Sequence, residues 1–131
     1  MFLHIDAHNG LAVYDQIVRQ VKFAVADGVL SAGEMVPSVR ELAKELAINP
    51  NTVARAYRQL QDEAVLALVR GTGLAVEGNA RRTCQAERKR LIRDRLRLVV
   101  VEAHQSGLEE AEIQELFHTE LSAAKRQRGK S

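Results

Sequence analysis

A mainly α fold with one small β-hairpin is predicted by three features of the 131-residue sequence. Two amphipathic helical patterns stand back to back in PSVRELAKELAINPNTVARAYRQL (37–60), with about three residues between them. Two apolar runs, LALV (66–69) and LAVE (74–77), flank the glycine-rich RGTG (70–73), which reads as a hairpin. Two further helical stripes follow GNA (78–80), a hinge, so the chain divides into an N-terminal domain, 1–78, and a helical tail, 79–131.

Each element has its own local signature. FLHID (2–6) alternates apolar and polar side chains and is predicted as a short edge strand, which Asn9-Gly10 ends. From Tyr14 to Asp27, the side chains of Tyr14, Ile17, Val21 and Ala24 recur at helical spacing, and Gly28 stands where a C-terminal glycine ends a helix. SAGEMVP (31–37) is a turn region. Ser38 then caps a second helix, with Glu41 reaching back as a capping box and Val39, Leu42, Ala43 and Leu46 facing inward. Asn49-Pro50 starts a third helix that runs to about Asp62, because asparagine caps well and proline needs no amide partner at the first position.

Bulk composition restricts the function classes. Apolar residues are 46% of the chain and charged residues 27%, which fits a globular protein and not a disordered one. Cys84 stands alone, so there is no intramolecular disulfide and no cysteine-pair zinc motif, and a reducing compartment fits. No apolar run reaches the length of a secretory core or of a membrane span, so a cytoplasmic protein without membrane contact is expected. The net charge of +2 is unevenly spread: −2 over residues 1–80, +6 over 81–97, −6 over 102–120 and +4 over 125–130. A nucleic-acid function must therefore rest on the placement of individual charges, since the first 80 residues are slightly acidic.

That placement is informative in the helix pair. Two helices joined by so short a turn bury a common seam only by crossing steeply, which is helix-turn-helix geometry. In the third helix Val53, Ala56, Tyr57 and Leu60 share one stripe, while Asn51, Arg55 and Arg58 point the opposite way. Small Ala43 permits close approach and Ile48 fills the turn. A solvated face would explain the polar side chains taken alone. The context favours DNA: a major groove admits one helix, whose first turns meet base edges, and arginine pairs with guanine as asparagine does with adenine. Asn51, Thr52 and Arg55 occupy those turns, Arg40 and Lys44 suit phosphates, and glycines in Arg70-Gly71-Thr72-Gly73 allow close backbone approach.

The stretches YDQIVRQVK, GVLSAGEMVPSVRELAKELAINPNTVARAYRQLQDEAVL and VRGTGLAV together resemble the GntR family of winged helix-turn-helix regulators, over residues 11 to about 77. The resemblance implies DNA contact by Arg40 of the PSxRELA stretch, by Asn49, Asn51, Thr52 and Arg55 at the start of the recognition helix, and by the wing from Arg70 to Gly73, and Ser38 is a further candidate. Arg58 and Lys44 complete the candidate set. The short tail is similar to the YtrA-like branch, which implies two C-terminal helices for dimerisation and a repressor. Ala12-Val13 departs from the family's proline at the start of the first helix, and Val69 and Leu74 are more apolar than usual in a wing.

The tail itself is predicted as two helices. Cys84, Leu91, Ile92, Val99 and Ala103 stripe the first, from Arg82 to Gln105, which Ser106-Gly107 closes; Ile113, Leu116, Phe117 and Leu121 stripe the second, ahead of a frayed basic KRQRGKS. Two such helices cannot bury both stripes alone, so a homodimer is expected, with the acidic helix docking on the basic one within or across subunits. Arg81, Arg82, Arg88 and Lys89 form a solvated basic face or reach phosphates. No enzyme pattern is present: His4, His8, His104 and His118 are scattered, and no phosphate-cradling loop follows a strand. No cofactor or metal is expected. The alternatives are a sensor whose tail binds a small-molecule effector or a metal through Cys84 with His104 or His118, and a protein-interaction module, whose third helix would need an apolar outer face.

Overall fold

A computed structural model describes residues 3–129. The element order is α1 (Val13–Asp27), α2 (Val39–Leu46), α3 (Pro50–Asp62), β1 (Leu66–Val69), β2 (Gly73–Val76), α4 (Ala80–Gln105) and α5 (Glu110–Gly129). The chain forms two compact units, divided between Lys89 and Arg90. The opening turns of α4 therefore belong with the N-terminal unit, beyond the sequence-based boundary at residue 78.

In the N-terminal unit α1 and α2 both pack against α3, around a core that includes Ile17, Val21, Leu42, Val53, Tyr57 and Leu60. The apolar stripe of α1 is wider than Tyr14, Ile17, Val21 and Ala24: Val18 and Val25 are also buried, whereas Tyr14 and Ala24 are half-buried. Gly28 ends α1 in the left-handed region, φ 79°, as its position predicts.

The predicted strand at the N-terminus is not formed by residues 3–6; Phe2 lies outside the described residues. The backbone groups that a strand neighbour would have matched are taken by two glutamines of α1. The His4 N–H donates to Gln20 Oε1 at 2.8 Å, and its carbonyl accepts from Gln20 Nε2 at 2.6 Å. The Asp6 N–H donates to Gln16 Oε1 at 2.9 Å, and its carbonyl accepts from Gln16 Nε2 at 2.8 Å. A carboxamide carries the same donor and acceptor as a peptide unit, so each glutamine replaces one rung of a ladder. Leu3 and Ile5, on either side of the His4 rung, pack on the core, which is why the sequence alternates.

SAGEMVP is more than a turn. Met35 bridges Ala75, Val36 N–H donates to Leu74 O at 3.0 Å, and Val76 N–H donates to Glu34 O at 2.9 Å. Residues 34–36 thus flank β2 on the edge opposite β1. The hairpin is antiparallel, with Leu66 opposite Val76 and Val69 opposite Gly73, so Gly73 belongs to β2 and the turn is Arg70-Gly71-Thr72.

Buried Lys22 joins three elements. Its side chain is 4% exposed and makes ion pairs with Glu63, just past α3, at 2.7 Å and with Glu87 of α4 at 2.9 Å. Burial would lower its pKa, but the two carboxylates outweigh burial and hold it above its ordinary value. Cys84 is fully buried beside this group, Gln85 Nε2 donates to Ala26 O at 3.2 Å, and Arg88 pairs with Asp27 at 2.8 Å. The start of α4 is fastened to α1 by these contacts.

The second unit is the rest of α4 with α5. Within α4 only Ala80 and Cys84 are buried, and α5 has no buried residue. Gly107, φ 95°, terminates the α4 turn. Residues 125–129, predicted to be frayed, continue α5 instead; residues 130–131 lie outside the described residues.

Candidate nucleic-acid interface

The geometry of the helix pair begins with its caps. Ser38 Oγ accepts from Glu41 N–H at 3.1 Å and Glu41 Oε1 accepts from Ser38 N–H at 3.1 Å, the capping box that its spacing predicts. The Ser38 N–H first, and then the Ser38 side chain, bond to the Glu41 carboxylate and hold it below its ordinary value. Asn49 Oδ1 accepts from Asn51 N–H at 2.8 Å and Pro50 takes the first helical position of α3. Both capping oxygens are thus occupied, leaving the Asn49 amide nitrogen as a donor.

The turn between α2 and α3 is closed by Ala47 in the left-handed region, φ 55°, with Ile48 N–H returning to Ala43 O at 3.0 Å. Val53, Ala56, Tyr57 and Leu60 are buried, as predicted. Asn51, Arg55 and Arg58 are exposed, and Thr52 is half-buried. Arg40 and Lys44 are exposed on α2, one turn apart. Tyr57 locks the pair: its hydroxyl donates to Pro37 O at 2.8 Å.

At the wing Arg70, Gly71 and Thr72 are exposed, and Thr72 N–H donates to Val69 O at 2.9 Å. Gly71 adopts φ 77° and Gly73 φ 137°; a Cβ on Gly73 would stand 3.3 Å from Met35 Cε. Both positions therefore favour glycine. Leu68 is 70% exposed and Val69 is also exposed, an apolar outer strand.

One contact of this surface was not legible in the sequence. The Arg55 guanidinium stacks over the Tyr14 ring, 3.7 Å from its centroid. The two residues lie on different helices, and neither sequence position signals the other. Of the basic residues at the start of α4, Arg88 is paired with Asp27 and the Arg81 guanidinium lies against Gly28, so both brace the helix. Cys84 is placed in the first unit and His104 and His118 in the second. Burial foremost pushes the Cys84 thiol above its ordinary value, Lys22 opposing and Glu87 and Glu63 adding. Among the described residues, no group of three or more His, Cys, Asp or Glu side chains could hold a metal ion. No helix among them is long and apolar enough to cross a membrane.

The family model for bacterial regulatory proteins, gntR family, matches residues 13–76, from the start of α1 to the end of β2. The HTH-type transcriptional repressor YtrA of Bacillus subtilis (strain 168) is 34% identical over 121 residues, 92% of each chain. The chain belongs to the GntR family. It is a DNA-binding transcriptional regulator with a winged helix-turn-helix, not an enzyme. A GntR family transcriptional regulator from Listeria monocytogenes, 28% identical, superimposes with a TM-score of 0.67 over 88% of this chain and 98% of its own. A transcriptional regulator from Oenococcus oeni, 33% identical, gives 0.62 over 92% and 99%. Coverage of this extent takes the likeness past the GntR motif and into the helical tail. In GntR terms α2 and α3 are the helix-turn-helix and β1–β2 the wing.

Proposed function

We propose that this GntR-family chain is a cytoplasmic repressor that binds an inverted-repeat operator in double-stranded DNA as a homodimer, with α3 in the major groove. The observation that carries the reading is the division of α3 between a fully buried stripe and the exposed Asn51, Arg55 and Arg58. Such a helix offers donors to base edges while its inner face keeps it fixed. Arg40 and Lys44 then supply phosphate contacts that set register, and Arg70 to Thr72 reach the backbone beside the groove. A protein-docking role for α3 is disfavoured, because its outer face is polar. Repression is carried over from the B. subtilis relative's name.

The dimer reading is supported by the tail. Leu91 and Ile113 are half-buried, and Ile92, Val99, Leu116, Phe117 and Leu121 are exposed. A groove of about 570 Å³ lined by Leu96, Val99, Val100, Ala103, Ile113 and Phe117, among others, runs through this surface. Apolar surface left open in this way marks an interface, and a helix of a second copy suits it better than a polar effector does.

The test is selection of bound fragments from random DNA with the purified protein. A palindrome with half-sites about one DNA turn apart, or a small multiple of it, is expected. Failure to enrich any sequence sinks the sequence-specific reading, and a single unrepeated site sinks the dimeric one.

A further inference from the structure

The stack of Arg55 on Tyr14 bears on how the recognition helix reads a base. A guanidinium has two chemically distinct surfaces: its faces stack on aromatic rings, and its edge carries the N–H donors. In the stack one face is occupied by the half-buried Tyr14 ring, 3.7 Å from the guanidinium carbon, and the donors of a guanidinium lie in its plane, away from the face that stacks. An exposed arginine without such a support samples many rotamers, and bidentate donation to guanine O6 and N7 fixes one plane. Tyr14 lies in the first turn of α1, whose Ile17 and Val21 are wholly buried, so the ring itself is held by the core.

We infer that Tyr14 is a positioning residue for sequence readout, its ring holding the Arg55 guanidinium in the plane from which it donates to a base edge. The inference rests on the reading of α3 as the base-contacting helix. The role belongs to the π face of the ring, and the hydroxyl has no part in it. It raises discrimination between base pairs at one position, because a pre-oriented donor edge loses more against a mismatched acceptor pattern than a freely rotating one does.

Equilibrium binding of the full chain to the site recovered by selection, and to each single base-pair substitution of that site, tests it. Tyr14→Leu and Tyr14→Met, which fill the space without a π face, are each expected to weaken binding to the recovered site by roughly two- to fivefold. The loss falls at the one base position that Arg55→Ala also flattens. Tyr14→Phe keeps wild-type affinity and discrimination, and Tyr14→Leu adds nothing in the Arg55→Ala background. An even loss across all sites, with discrimination intact, marks a merely structural tyrosine and overturns the proposal. So does a Tyr14→Phe protein as weak as Tyr14→Leu, since the hydroxyl would then be the contact. If Arg55→Ala itself binds like wild type, the underlying assignment of Arg55 is what fails; if Arg55→Ala is impaired and neither ring deletion changes discrimination, only the role given to Tyr14 fails.

Discussion

The Tyr57 hydroxyl donates to the Pro37 carbonyl at 2.8 Å, tying the middle of α3 to the residue from which the chain enters α2. Burial foremost, then the charges of Glu41 and Glu45, push the Tyr57 phenol well above its ordinary value of 10.0. The folded phenol therefore stays protonated at a pH where the unfolded one ionises. Its stabilising contribution is complete below about pH 10 and declines as pH rises towards the folded-state value. Tyr57→Phe is expected to cost about 1 kcal/mol at neutral pH, the net worth of one hydrogen bond. The deficit should shrink between pH 10 and 11 in urea titrations, and a deficit that grows over that range would refute the assignment.

Lys22 provides a second anchor, between α1, the end of α3 and α4. Breaking a fully buried ion pair from one side costs about 3–5 kcal/mol. Glu63 and Glu87 keep 35% and 22% of their side-chain exposure, so water recovers part of their solvation. Lys22→Ala should cost about 2 kcal/mol at pH 7. Because the folded lysine titrates above its ordinary value of 10.5, the wild-type advantage persists below that pH and is lost as pH rises through the folded-state value. Denaturant midpoints of the two proteins that coincide at pH 7 would show that the buried cation contributes no net stability.

How much of this was legible follows from the range of each interaction. The capping box at Ser38 and Glu41 and the Asn49-Pro50 start are local signals, and both helices begin where these residues stand. The alternation of Leu3, His4 and Ile5 was legible too, but nothing local shows that carboxamides of Gln16 and Gln20 complete its backbone bonds. Pairing of Met35 with Ala75 joins residues far apart in sequence, inside a stretch whose glycine and proline read as a turn. Lys22 interrupts an apolar stripe, which in sequence looks like a solvated position, and only the two carboxylates brought from α4 and the end of α3 explain its burial. The stripes of the tail were legible, and within the chain Ile92, Val99, Leu116, Phe117 and Leu121 stay exposed.

Arg55 and Lys44 should separate base reading from phosphate contact. Arg55→Ala is expected to cost about 1–3 kcal/mol on the selected operator and to erase the preference at one base position. Lys44→Ala should weaken all sequences alike and reduce the slope of log K against log salt by about 0.9, one released counterion. Binding isotherms at four or five salt concentrations give both quantities. An Arg55→Ala protein with wild-type operator affinity, or a Lys44→Ala protein with an unchanged slope, would remove the respective residue from the interface.

Phe117 tests the tail. Leu116, Phe117 and Leu121 are 54%, 53% and 47% exposed on α5, and burying an aromatic side chain of this kind is a large part of what an apolar interface gains. Phe117→Glu places a charge in the proposed seam, where leaving it unpaired and desolvated opposes association. Sedimentation should then show monomers at concentrations where wild type is dimeric. Each winged unit keeps its core, since Phe117 takes no part in it. Affinity for a single half-site is therefore retained, and affinity for the full operator falls by about 10²–10⁴, the effective-concentration advantage of two linked sites. A Phe117→Glu protein that stays dimeric would exclude this stripe as the seam; one that becomes monomeric yet binds the full operator unweakened would show that dimerisation is not what couples the half-sites.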